Sequence, residues 1–104
     1  MKRSGMSYKC LFILVVLLLF AMGSWAADEG AALYRKRCGS CHGSNGEGNP
    51  SMRAPAVKGT TLDADQLVQL LTKGESRSRA PHNRGMSRLN EEQAKAIADY
   101  IKTL

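Results

Sequence analysis

Three side chains capable of chemistry stand within five residues of one another. They are Cys38, Cys41 and His42, in the stretch "KRCGSCHGSNGEGNPSMRAP" that runs from 36 to 55. Beyond the first ten residues the chain has no other cysteine, and its second histidine is His82. Four chemistries use such a set. A thioredoxin-like dithiol needs a strand before the motif and a βαβ context, and neither is legible here. A structural zinc needs four ligands, and Cys41 and His42 are adjacent, which denies them ordinary chelate spacing. A plain disulfide leaves His42 without a role. Covalent haem attachment uses all three: in C-x-x-C-H the two thiols add to the haem vinyl groups, and the following imidazole meets the iron.

Three helical segments have to position this set. "DEGAALYRKRC" puts Gly30, Leu33 and Tyr34 on one face, with acids in its first turn and cations in its last, as the helix dipole favours. The second starts at "DADQ", where Asp63 caps and Gln66 completes a capping box. Ala64, Leu67, Val68 and Leu71 then fall at helical spacing until Gly74. The third starts at "NEEQ" with Asn90 as cap and carries Ala94, Ile97, Ala98 and Ile101 to the C-terminus. No alternating strand pattern is visible, so the fold class is all-α. Two long loops, 42–60 and 74–89, are rich in Gly, Pro, Ser, Asn and Arg. Loops of that length in a small domain are disordered or wrapped around something. Met52, Pro55, Val57, Pro81 and Met86 are the apolar residues these loops could lay against a large apolar ligand.

The first 26 residues read as a secretory signal: Lys2, Arg3 and Lys9 precede the apolar run "LFILVVLLLFAM", and "GSWA" follows. The run has twelve residues, short of the ~20 that a spanning helix needs, so cleavage after Ala26 is expected, with no integral membrane segment remaining. That leaves a domain of 27–104, whose 78 residues are too few for a generous core and call for a bound group to supplement it. Removing the three signal cations from 15 leaves 12 Lys and Arg against nine Asp and Glu. This mild charge, with no basic stripe interleaved with aromatics, excludes a nucleic-acid binder. The cations gather instead between Arg77 and Arg88.

"CGSCHGSNGEG" followed by "PAVKG" resembles the small bacterial class I cytochromes c, along the whole of 27–104. The resemblance implies a cytochrome c fold: three main helices whose long loops wrap one covalent haem c, with the last helix crossing the first. It assigns the thioethers to Cys38 and Cys41, the proximal ligand to His42, and to Pro55 the carbonyl that accepts a hydrogen bond from that histidine. Gly30, Tyr34 and Tyr100 match the helix crossing. For the sixth iron position the candidates are Met52, Met86 and His82. Met86, a few residues before the last helix, stands where the family places its distal methionine, and His82 is the second choice. Arg77, Arg79, Arg84 and Arg88 divide between haem propionates and a partner protein, which would be acidic at its docking face. The implied function is an exported, periplasmic electron carrier without catalysis of its own. The alternatives are the haem subunit of a larger oxidoreductase and an open-iron haem sensor.

Overall fold

The computed structural model describes residue 5 and residues 7–104, with the backbone alone described at 21–26. Helix α1 spans Tyr8–Arg37, α2 Gly39–His42, α3 Ala64–Lys73 and α4 Glu91–Ile101, and a 3₁₀ turn covers Pro50–Met52. Among the described residues there is no strand, only an isolated antiparallel bridge between Asn49 and Ala54. The all-α expectation therefore holds.

Local sequence explains how two of the helices start. At the start of α3 the Asp63 carboxylate accepts from the Gln66 backbone N–H while the Gln66 side chain accepts from that of Asp63. Asn90 and Gln93 make the same reciprocal pair at α4. Each satisfies two backbone donors that a helix start leaves open. Gly74 ends α3 with φ +74°.

The core is the crossing of α1 with α4, backed by α3. Ala94, Ile97, Ala98 and Ile101 are all buried, facing Tyr34, Leu67 and Leu71. Gly30 is what lets the helices touch: a Cβ there would collide with the Ala96 carbonyl and lie 3.2 Å from Cβ of Tyr100. The Tyr34 and Tyr100 rings, with centres 5.4 Å apart, pack beside it.

The sequence suggested a helix from residue 28, whereas α1 begins twenty residues earlier. The leucine-rich apolar run joins the amphipathic segment with no proline between them to stop the helix. Leu11, Phe12, Leu17 and Phe20 are more than half exposed, in contrast to the buried Tyr34 on the same helix. The expected processing boundary after Ala26 falls inside this helix, and Lys2 and Arg3 lie outside the described residues. Among the described residues, no helix is long and apolar enough to cross a membrane.

Candidate haem site

Cys38 terminates α1, and α2 is a single turn that carries Cys41 and His42. The His42 N–H bonds the Cys38 carbonyl at 2.9 Å, so the motif forms one helical turn with its three functional residues within it. Cys38 and His42 are buried and Cys41 is half-buried. Both cysteines are free thiols. Burial pushes the Cys38 thiol up to about 11, outweighing the downward pull of Arg37.

All three residues line one cavity of about 430 Å³, a size typical of cofactor sites. Leu67, Leu70 and Leu71 of α3 and Ile101 of α4 form much of its apolar wall. The 43–63 loop supplies Met52, Pro55 and Val57, and the 74–90 loop supplies Ala80, Pro81 and His82. A more open groove of about 650 Å³ runs along α3 past Asp63, Gln66 and Glu75, but it has no thiol or imidazole.

The His42 ring is held from behind. Its Nδ1 lies 2.7 Å from the Pro55 carbonyl. A carbonyl can only accept, so Nδ1 carries the proton and the Nε2 lone pair is left free, the tautomer suited to a metal. The loop reaches this position through turns at Gly43, Gly46 and Gly48, all with φ between +73° and +86°. At Gly46 a Cβ would come within 2.8 Å of Val57 and 3.0 Å of Leu104, so glycine also permits close approach. The Tyr34 hydroxyl donates to the Gly43 carbonyl at 2.8 Å. Lys102 donates to the Thr60 and Leu62 carbonyls at 3.2 and 2.9 Å, holding the loop's end against α4.

The three candidates for the sixth position separate clearly. Met52 lines the cavity but is 55% exposed. Met86 does not line it; the side chain packs against the helical core and its backbone N–H bonds the Leu71 carbonyl at 2.8 Å. His82 lines the cavity with its ring centre 5.8 Å from that of His42. Its Nδ1 is buried without a hydrogen-bond partner, and burial, followed by the nearby His42, lowers its pKa.

Of the four loop arginines only Arg79 reaches the cavity wall, and Arg53, which sequence reasoning passed over, joins it there. Arg53 stands alone among its neighbours in charge, and nothing in its spacing marked it. Leu70 was missed as well, because it falls beside the apolar stripe of α3 that packs on the core.

A largely apolar cavity with a thiol pair on its wall, beside a histidine whose Nδ1 bonds a carbonyl, fits a covalently held haem. Comparison with known proteins agrees. Residues 26–101 match the family described as "Cytochrome C oxidase, cbb3-type, subunit III". The chain is 36% identical over 103 residues to cytochrome c-553 of Nitratidesulfovibrio vulgaris, an alignment covering 88% of this chain and 97% of that one. It is 33% identical over 86 residues to the fructose dehydrogenase cytochrome subunit of Gluconobacter japonicus, which covers 70% of this chain and 18% of that protein. No solved structure matches it. The chain therefore belongs to this family of c-type cytochrome domains, electron-carrying proteins that hold haem c by covalent bonds.

Proposed function

We propose that the chain is an exported electron carrier of the periplasm, that Cys38 and Cys41 form its two thioethers, and that His42 is the proximal iron ligand. The observation that carries this reading is the His42 ring, buried on the cavity wall and bonded through Nδ1 to Pro55, one residue after Cys41. When bound, the haem iron stores and releases one electron. Cys38 and Cys41 would hold the haem through thioethers, each by addition of its S–H across a vinyl group, which would need no oxidant. Pro55 fixes the tautomer and direction of His42. The leucines of α3 keep water from the site, and Arg53 and Arg79 at the wall offer guanidinium groups to carboxylates. The remaining loop arginines, Arg77, Arg84 and Arg88, are exposed and suit a redox partner that is acidic where it docks.

Export rests on the order of the first 26 residues, with cations, an apolar run and then small residues. A second reading, a haem subunit within a larger dehydrogenase, draws on the likeness to the fructose dehydrogenase cytochrome subunit, of which this chain spans under a fifth.

The test is acid–acetone extraction of the purified holoprotein. The colour stays with the polypeptide if the haem is covalent, and in Cys41→Ala at most one thioether remains by mass. Colour that extracts fully from the unaltered protein would overturn the reading.

A further inference from the structure

Two imidazoles face each other across the cavity, one on each of its long loops. A metal–imidazole bond runs about 2.0–2.1 Å, and the ring centre lies roughly 1 Å further back, so two imidazoles on opposite sides of one metal ion have centres about 6 Å apart. The His42 and His82 rings are 5.8 Å apart and tilted by 39°. That is too wide for face-to-face contact and matches the spacing of two rings with an ion between them. A tilted aromatic pair can have a similar spacing. Such a pair gives no reason, however, to bury the His82 Nδ1 with no hydrogen-bond partner, an arrangement that is destabilising where nothing offsets it.

We propose that His82, rather than Met86, is the second axial ligand of the haem iron, so that the site is bis-imidazole. This rests on the haem-binding reading above. The backbone around His82 is set for the role: its N–H bonds the Arg79 carbonyl at 2.9 Å, and its own carbonyl accepts from the Glu75 N–H at 2.8 Å. Met86 is held away by contacts as firm. A Cβ on Gly85 would collide with the Thr72 carbonyl, and one on Gly74 would collide with the Arg84 backbone, so residues 84–86 lie directly on the end of α3. With the Met86 N–H on the Leu71 carbonyl, its half-buried side chain packs against the core and not on the cavity wall. The part of the loop free to cover the cavity is 78–82, and among those residues His82 is the sole metal ligand. An imidazole in place of a thioether removes the feature that raises the potential of histidine–methionine cytochromes. The carrier therefore works at a lower potential than they do.

The experiment uses the oxidised and reduced holoprotein. The oxidised protein shows a low-spin spectrum without the weak near-infrared band of sulfur-to-iron coordination, and the reduced protein does not bind carbon monoxide. His82→Ala opens the iron, giving a high-spin component and carbon monoxide binding. His82→Met, which keeps a ligand in place should the alanine variant fail to accumulate, gains the near-infrared band and a higher potential. Met86→Leu changes neither spectrum nor potential. A sulfur–iron band in the unaltered protein that survives His82→Ala and disappears in Met86→Leu overturns the inference while leaving the covalent haem intact. A chain that carries no thioether-bound haem overturns both readings.

Discussion

The two long loops of this protein are held in different ways. The 43–63 loop folds back on itself. The Gly46 carbonyl takes the N–H groups of Val57 and Lys58, Asn49 and Ala54 exchange both of their backbone bonds, and Gly48 donates to the His42 carbonyl. Its turns are written into glycines at positive φ, so its shape is stored largely in its own sequence. The 74–90 loop has fewer bonds of its own. It takes its position from the end of α3, through Gly74 against Arg84, Gly85 against Thr72, and Met86 on Leu71. The first loop presents Pro55 to a histidine whose place is already set by the cysteines. The second decides which of its residues meets that histidine only through where α3 stops. A self-contained loop can be read locally, whereas a borrowed position cannot.

The sharpest way to break this contrast is a pair of glycine substitutions. Gly85→Val places a side chain on the Thr72 carbonyl, where backbone has to move. It should cost about 3 kcal/mol, the upper end for overpacking, and it should displace residues 78–82. Thermal unfolding and the low-spin optical spectrum of the holoprotein both report it. Gly59→Ala, in the first loop, puts a side chain at φ +73°, a conformation Gly85 does not have, but meets nothing within 4 Å. It should cost only the left-handed penalty of roughly 1 kcal/mol, with an unchanged spectrum. Equal losses at the two sites would remove the distinction.

Tyr34 tests how far the first loop depends on the helices. Its hydroxyl donates to Gly43, where that loop begins. Burial, ahead of the neighbouring thiol and acid, raises its pKa from 10.0 to about 12. The unfolded chain therefore releases this proton first, and stability falls as pH rises from 10 towards 12. The loss reaches roughly 2–3 kcal/mol at the alkaline end. Tyr34→Phe should remove that part of the alkaline decline and cost about 1 kcal/mol at neutral pH. Denaturant titrations of both proteins at pH 7 and pH 11 measure it; a parallel decline in the two would show that burial does not hold the proton on Tyr34, and equal stability at pH 7 that the Gly43 bond does not hold the loop.

The smallest effects separate the arginines of the second loop. Arg79 stands on the cavity wall and Arg84 does not. Arg79→Gln should shift the reduction potential slightly. Arg84→Glu should leave potential and spectrum alone but slow electron transfer to an acidic partner by a few-fold. It should also flatten its salt dependence, since exposed charges are screened over about 8 Å at physiological ionic strength. Stopped-flow rates across a salt series distinguish the two.

Much of this molecule is determined by residues near one another in sequence. The reciprocal caps of Asp63 with Gln66 and Asn90 with Gln93 close within four residues, so the starts of α3 and α4 are legible without any fold. The Cys38, Cys41 and His42 set closes within a single helical turn, and its chemistry follows from spacing alone. Gly30 and Tyr100 are distant in sequence, and the family resemblance supplied their meeting. The tertiary structure added what no local pattern encodes. It carries α1 back through the apolar run, brings Arg53 and Leu70 to the cavity, and packs Met86 against the core while His82 lies beside His42 on the cavity wall. The reason is physical. A periodic helix or a chelating motif repeats its information every few residues, but an aperiodic loop gets its register from the surface it rests on, and here that surface is the end of α3, where Gly74 and Gly85 admit backbone against backbone.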